Sequence, residues 1–331
     1  MHTQKNYTLE AIKLFASYMV VFIHVMFYGK VGDAVNALAR FAVPLFFLIS
    51  GYYSFQIQPD KYKKRIRNIL GLWVLGVVCY TLFHVAVSLS NGSGIAAHFG
   101  RYLNVGTLIK IFALNVSVAS GHLWYLSAIL YVYVVFYLVT VFRINEKVVF
   151  AVSFLLLILQ LLLGEGLSAC GVVVPMPLVR NFALLGIPFF ALGLLTRKYE
   201  SKLRNVSNYL LVPLAAIGVL ATLLSRWWIG INEVYIGSLF ILFVLVVVFV
   251  KYAAAPCPAC LRALSGCSTY IYIFHVMISL VIIKAYEVLH IDFASSVFLN
   301  YAHPIIVCIA STIFAYVLIQ LTNALSSKKQ K

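Results

Sequence analysis

Residues 8–28 read TLEAIKLFASYMVVFIHVMFY, an apolar run of membrane-spanning length that carries two basic side chains, Lys13 and His24. A spanning α-helix needs about 20 consecutive, mostly apolar residues. Lys13 and His24 are close to three helical turns apart, so both project from one face of this helix, about 16 Å from each other along its axis. A charge at membrane depth costs roughly 2.5–3.5 kcal/mol and usually faces a cavity where it has a function. The first helix is therefore expected to line a functional site.

The composition places the whole chain in a membrane. Of the 331 residues, 63% are hydrophobic and only 10% are charged, which is too apolar for a soluble core of this length. We predict an all-α fold, a polytopic transmembrane helix bundle that forms a single domain over residues 1–331. The ten predicted spans are 8–28, 37–56, 68–89, 123–142, 147–163, 180–196, 208–225, 234–250, 267–284 and 302–323. The segment 106–119, between the third and fourth spans, is predicted to be an interfacial or re-entrant helix.

The basic residues are distributed unevenly between the loops. The chain has 25 Lys and Arg against 9 Asp and Glu, which gives a net charge of +16. Most of the cations fall in the loops on the side of the two termini, the positive-inside pattern of a protein whose termini are cytoplasmic. Because the charge follows the membrane topology, we expect a multi-pass protein of the cell membrane that contacts lipid and binds no nucleic acid.

Polar side chains within the predicted spans form two sets. The inner half of the membrane holds Lys13 and the basic run 61–67. A lone His or Arg near a helix end is also common as a hydrogen-bonding or snorkelling group, so each position has a structural alternative. The titratable or cationic groups of the outer half and the middle include His24, Arg40, His122 and His275. Together the two sets predict a passage with different chemistry at its two ends.

At these residues the chain resembles the acyltransferase-3 family of integral membrane acyltransferases. The family's first motif is a basic residue, ten intervening residues and a His in the first span, here Lys13 and His24. Its second motif, Arg-x-Arg at the cytoplasmic start of the third span, is present as Arg65-Ile66-Arg67 in KKRIRNIL. The similarity continues in RFAVPLFFLISGYY from Arg40, HLWYL from His122 and STYIYIFH ending at His275.

The resemblance implies transfer of an acyl group, most often acetyl, from cytoplasmic acetyl-CoA to the hydroxyl of an acceptor. In the family that acceptor usually lies outside the membrane or at its surface, and a cell-surface carbohydrate is the leading expectation. Some members carry an additional extracytoplasmic esterase-like domain. The chain is expected to act alone or with a separate extracytoplasmic partner that handles the acyl group, and no metal is expected.

The chemistry gives Lys13 and His24 different roles. An acceptor hydroxyl needs a base at neutral pH, and a neutral imidazole contributes typically about 10²–10⁴-fold, so His24 is the predicted general base. Lys13 is predicted to hold the acyl-CoA in the passage, and Glu10, one turn away, is expected to pair with it. Lys13 stands where the family usually has Arg, so the charge is kept and the planar five-donor fork is lost. Direct attack and a transient acyl-enzyme both remain open.

The predicted binding residues lie at the two ends of the passage. Coenzyme A carries a diphosphate and a 3′-phosphate, which favours a cytoplasmic cluster of Lys and Arg. That cluster is predicted to be Lys64, Arg65 and Arg67, together with Lys13. Residues two apart on a regular helix point about 200° apart, so Arg65 and Arg67 face one ligand only if the segment is frayed or extended. The predicted acceptor-binding residues are Arg40, His122, Trp124 and His275.

A secondary transporter of a small anionic or polar solute is the alternative function. Intramembrane Lys, His and Arg also build proton relays and anion sites. The chain shows no internal repeat relating its first and last five spans, which disfavours a transporter. Pro44 and Gly51 in the second span and Pro188 and Gly193 in the sixth are possible helix interruptions that keep the alternative open.

Overall fold

A computed structural model describes residues 6–90, 92, 105–117 and 119–328 of the chain. All regular structure in these residues is helical, 81% in total, which confirms the predicted all-α class. Eight helical segments, some of which join neighbouring helices, are long and apolar enough to cross a membrane. The predicted count of ten spans and the cytoplasmic orientation of the termini stay predictions.

Sixteen α-helices, here numbered in chain order, make up most of the described residues. The first eight are α1 Tyr7–His24, α2 Gly29–Leu38, α3 Ala42–Tyr52, α4 Pro59–Ser90, α5 Val105–Leu114, α6 Trp124–Val141, α7 Glu146–Leu161 and α8 Leu167–Ala169. The second eight are α9 Met176–Val179, α10 Ile187–Lys198, α11 Glu200–Arg204, α12 Asn208–Ile229, α13 Ile236–Lys251, α14 Ala259–Ala263, α15 Cys267–Val288 and α16 Val297–Lys328. Single 3₁₀ turns precede α3 and α6.

Each of the ten predicted spans coincides with helix, but several boundaries differ. The helix of the third span begins at Pro59 rather than at 68, because Pro at the first helical position and the basic run after it are both compatible with helix. Hydropathy reports membrane depth and not the end of a helix. Of the segment 106–119, α5 covers most, while the preceding residues 93–104 and Val118 lie outside the described part of the chain. Neither α1 nor α13 is among the eight long apolar helices.

The chain divides into two compact units, and unit 1 comprises Met1–Leu45 and Tyr199–Lys331. Within it α15 and α16 form one antiparallel hairpin, α12 and α13 form another, and α1 packs on α15. The core between α1, α15 and α16 is built from small and β-branched side chains. It contains Val21, Val25, Cys267, Ile271, Val307, Cys308 and Ala315.

Unit 2 comprises Phe46–Lys198, where α4 packs on α6 and α7 packs on α10. Two glycines allow α3 and α10 to cross in direct backbone contact. A Cβ on Gly51 would lie 1.9 Å from the carbonyl oxygen of Phe190, and one on Gly193 would lie 2.0 Å from that of Leu48. Gly193 lies inside α10 and Gly51 is the second-last residue of α3, so both are helical and permit close packing.

Two π-helical turns, Leu162–Gly166 and Phe182–Gly186, follow α7 and precede α10. Asn181 caps the second turn, since its side-chain oxygen accepts from the backbone N–H groups of Ala183 and Leu184. The N–H of Phe182 donates to the side chain of Asn115 over 2.9 Å. This bond fixes the residues after α5 against the start of the sixth predicted span.

Candidate functional site

The first turns of α1 hold Lys13 in an ion pair. The helix begins at Tyr7 because the side chain of Asn6 accepts from the N–H of Leu9. Lys13 and Glu10 are three residues apart, and Lys13 Nζ donates to Glu10 Oε1 over 2.8 Å, which confirms the predicted pairing. The two side chains are only 24% and 12% exposed, so the pair reduces the cost of burying either charge.

The carboxylate of Glu10 also joins α1 to the start of α15. Its second oxygen accepts from the hydroxyl of Ser265 at 2.9 Å and from the N–H of Gly266 at 3.2 Å. Gly266 has φ +92°, in the left-handed region that favours glycine, and it directly precedes α15. No local pattern indicates this link, because Ser265 lies 255 positions from Glu10.

At the other end of α1, the imidazole of His24 lies beside that of His275. His24 is the last residue of α1 and its side chain is exposed on the chain surface. The centroids of the two rings are 5.4 Å apart, with an angle of 44° between their planes. Both residues are predicted from the sequence to lie in the membrane, but with different roles. His24 is the predicted general base and His275 a predicted acceptor-binding residue.

His275 is fully buried in α15. Its Nδ1 lies 2.8 Å from the carbonyl oxygen of Tyr272 and 3.1 Å from that of Ile271. Carbonyl oxygens only accept hydrogen bonds, so Nδ1 carries the proton and Nε2 is the lone-pair nitrogen. The backbone of α15 thus fixes both the orientation and the tautomer of this imidazole.

Arg40 lies in a buried polar cluster that the sequence did not predict. Its Nη1 donates to Glu233 Oε2 over 2.9 Å, and the two side chains are 6% and 5% exposed. The side-chain oxygen of Asn36, one turn earlier, accepts from Nε at 3.2 Å and from Nη2 at 2.9 Å. Glu233 is one of only nine acidic residues in the chain and lies just before the apolar run of α13. This position was the one sign in the sequence that Glu233 could be a functional residue.

In unit 2 the basic residues of α4 divide into an anchored and an exposed set. Arg65 donates to the hydroxyl of Ser54 and to the carbonyl oxygen of Tyr53, both over 2.6 Å, and its guanidinium lies 5.8 Å from the ring centroid of Tyr133. Lys64 and Arg67 are exposed. Because α4 is regular from Pro59 onward, Arg65 and Arg67 point about 200° apart. Arg65 holds the end of α3, and Arg67 faces outward.

A pocket of about 180 Å³ lies at this end of unit 2. Ser54, the hydrogen-bond partner of Arg65, is part of its wall. Aromatic and aliphatic side chains supply most of the rest, including Phe55, Tyr62, Phe136, Val139 and Phe150. The pocket is therefore mostly apolar, and Arg65 is bonded to one residue of its wall.

His122 and Trp124 lie at the opposite end of α6, about 22 Å from Val139 by the rise of the helix. The buried His122 ring meets Tyr80 at 5.1 Å between centroids, and its Nδ1 lies 2.8 Å from the hydroxyl of Ser120. The guanidinium of Arg180 lies 5.8 Å from the ring centroid of Trp124. Two of the predicted acceptor residues are therefore neighbours at the end of unit 2 that is remote from Arg65.

The predicted site residues belong to both units. Unit 1 contains Lys13, His24, Arg40 and His275. Unit 2 contains Lys64, Arg65, Arg67, His122 and Trp124. Of these residues, His24 and His275 lie in contact with each other. Lys13, Arg40 and Arg65 each contact a residue that is not among the predicted site residues. The described residues contain no group of three His, Cys, Asp or Glu that could hold a metal ion.

Residues 6–320 match the family profile described as an acyltransferase domain. The chain belongs to the acyltransferase-3 family. The match covers nearly the whole chain and both units, which confirms the resemblance of its motifs. Together with its eight long apolar helices, membership of the acyltransferase-3 family supports a multi-pass membrane acyltransferase.

One curated relative is the serine/alanine racemase of Enterococcus gallinarum, which is 30% identical over 135 residues. The matched segment is 38% of this chain and 18% of that protein. The chain thus spans less than a fifth of the length of that relative. No solved structure matches the chain.

Proposed function

We propose that this acyltransferase-3 protein moves an acetyl group from cytoplasmic acetyl-CoA to the hydroxyl of an acceptor at the outer side of the cell membrane. A cell-surface carbohydrate is the proposed acceptor. The observation that carries the proposal is the single face of α1, which bears both Lys13 and His24 in a chain that matches the family from residue 6 to residue 320. The rise of an α-helix puts the two groups about 16 Å apart, so Lys13 can bind the donor while His24 takes the proton of the acceptor hydroxyl.

The cations of α4 are the proposed binding residues for the acyl donor. Lys64 and Arg67 are exposed and would bind the phosphates of the coenzyme, and the aromatic pocket beside Ser54 would take its base. Arg65 would contribute positive charge from its place at the pocket wall while it holds the end of α3. Lys13 of α1 is the proposed binding residue for the acyl-bearing arm of the coenzyme.

The chemical step requires a base, and His24 is that base in the proposal. Acetyl-CoA, when bound, supplies an acyl group activated as a thioester. His24 takes the proton of the acceptor hydroxyl while the hydroxyl oxygen forms a bond to the acyl carbon. The carbon–sulfur bond then breaks, and the imidazolium of His24 returns the proton to the departing thiolate. The products are the acetyl ester of the acceptor and free coenzyme A.

The test is release of coenzyme A thiol by the full-length protein in lipid nanodiscs supplied with acetyl-CoA and an envelope glycan extract. We expect His24→Ala to lower the rate by about 10²–10⁴-fold. The matched control is His290→Asn, a change of an exposed loop histidine with φ +53° to a residue that tolerates this conformation. Mass spectrometry of the glycans identifies the acetylated product.

Unchanged thiol release in His24→Ala would refute the assigned base. Movement of a solute into liposomes without any release of coenzyme A would instead identify a transporter. Loss of thiol release in the His290→Asn control as well would assign the effect to damaged folding, so the melting temperature of each variant is measured alongside.

A further inference from the structure

A side chain of α2 holds the end of α1 that carries His24. The last carbonyl groups of an α-helix have no partner within that helix. The carbonyl oxygen of Ile23, directly before His24, accepts instead from Nδ2 of Asn36 over 3.1 Å. Asn36 is buried, so this bond lies in the interior of unit 1. A residue outside α1 therefore fixes the backbone next to His24.

The orientation of the Asn36 amide is determined by Arg40. A guanidinium only donates, so the amide oxygen must face Arg40, which donates to it from Nε at 3.2 Å and from Nη2 at 2.9 Å. The amide nitrogen is then directed to Ile23. Arg40 is held in turn by Glu233, whose carboxylate accepts from Nη1 at 2.9 Å. The three buried side chains thus form one directed series of hydrogen bonds that runs from the segment before α13 to the end of α1.

The backbone of α2 also meets the chain just after α1. A Cβ on Gly32 would lie 1.9 Å from the carbonyl oxygen of Phe27, so only glycine allows this approach. Gly32 and Asn36 are four positions apart on α2 and lie on the same face of the helix. The helix that presents Asn36 is therefore itself fixed against the residues that follow His24.

We propose that Asn36 is a positioning residue for His24, and that Arg40 and Glu233 act through it by fixing its amide. This inference rests on the proposed function, since it takes His24 as the general base. It gives Arg40 a role in supporting the base, in place of the predicted contact with the acceptor. The donors of Arg40 agree with this role, because Nε, Nη1 and Nη2 each donate to Asn36 or Glu233.

The location of His24 explains why its contribution to the rate depends on this support. His24 is the last residue of α1 and its side chain is exposed, and helix ends fray. A misplacement of about 1 Å at a catalytic group costs about 10²-fold in rate. The bond from Asn36 restrains Ile23, and through the backbone it restrains His24.

The first experiment is the thiol-release assay on full-length Asn36→Asp protein in nanodiscs, supplied with acetyl-CoA and the envelope glycan extract. The substitution keeps an oxygen toward Arg40 and replaces the nitrogen that donates to Ile23 by a second oxygen. We expect kcat to fall about 10–100-fold with KM for acetyl-CoA unchanged. The control is Asp33→Asn, three positions earlier on α2, which weakens the separate pair with Arg226 and should leave kcat unchanged. An unchanged kcat in Asn36→Asp, or an equal fall in Asp33→Asn, would overturn the inference.

The double change Arg40→Leu with Glu233→Leu separates positioning from stability. No buried charge then lacks its partner, so most of the melting temperature lost in the single variants should return. The amide oxygen of Asn36 has nonetheless lost its donor, and kcat should stay about tenfold or more below that of the unchanged protein. Recovery of kcat together with the melting temperature would make the three residues structural only and would overturn the inference.

A double-mutant cycle tests whether Asn36 acts through His24. Asn36→Asp should cause no further loss of rate when it is added to His24→Ala. A further loss there would show an effect that bypasses His24 and would overturn the inference. Unchanged thiol release in His24→Ala alone would instead refute the proposed function.

Discussion

Arg40 and Glu233 form an ion pair whose Nη1 and Oε2 atoms are 2.9 Å apart, with both side chains more than nine-tenths buried. The residues are 193 positions apart and join the 3₁₀ turn between α2 and α3 to the segment before α13. Next to them Arg226 donates to Asp33 over 2.6 Å. The two pairs attach α2 to the end of the α12–α13 hairpin.

The buried pair predicts an asymmetric response to mutation. Arg40→Leu or Glu233→Leu leaves one buried charge without its partner, and each is expected to cost about 3–5 kcal/mol of folding free energy. The double change Arg40→Leu with Glu233→Leu should be much less destabilising than the sum, because neither charge remains. Thermal unfolding in detergent, followed by circular dichroism, measures this. Additive losses would show that the pair contributes no coupling.

The close crossing of α3 and α10 predicts that a residue larger than glycine will not fit at the crossing point. Gly193→Ala puts a Cβ 2.0 Å from the Leu48 carbonyl oxygen, so the two helices must separate, at a cost of about 1–3 kcal/mol or more. Gly71→Ala is the control, since a Cβ there has no neighbour within 4 Å, and it is expected to be neutral or stabilising by up to about 1 kcal/mol. The melting temperature of both variants gives the answer. Equal melting temperatures for the two variants would contradict close packing as the reason for Gly193.

Arg65 is hydrogen-bonded and Arg67 is exposed, so mutation to Gln is expected to affect stability at Arg65 and donor binding at Arg67. Arg65→Gln removes charge-assisted bonds to Tyr53 and Ser54, and should lower stability by about 1.5–3 kcal/mol. Arg67→Gln removes an exposed cation, and should raise KM for acetyl-CoA about tenfold while leaving the melting temperature unchanged. Steady-state kinetics with thermal unfolding on the same samples distinguishes these effects. A normal KM in Arg67→Gln would remove this residue from the donor site.

The Glu10–Lys13 ion pair allows a test of whether Lys13 acts on the donor. Lys13→Met should lower both stability and thiol release, since it leaves Glu10 without its cation. Adding Glu10→Gln removes the lone charge and should restore much of the melting temperature. Thiol release should stay low in this double variant if Lys13 binds acyl-CoA, and Lys13→Arg, which keeps the charge, should retain it. Recovery of turnover in the double variant would make Lys13 a structural residue only.

Much of the helical framework could be predicted because hydropathy is a local property. The spans 123–142 and 208–225 coincide with α6 and α12 to within a few residues. The glycines of the second and sixth spans were harder to interpret, because a small residue marks either a break or a close approach. Gly51 lies against Phe190, and only the packing of two helices shows which applies.

The sequence by itself determined the common face of Lys13 and His24 and the pairing of Lys13 with Glu10. These relationships follow from the regular rise and turn of one helix, whatever surrounds it. Tertiary structure alone decided that Glu233 meets Arg40, that Ser265 meets Glu10 and that His275 meets His24. Such partners come from helices far apart in the chain, and their choice depends on how side chains interlock between helices, which no local pattern encodes.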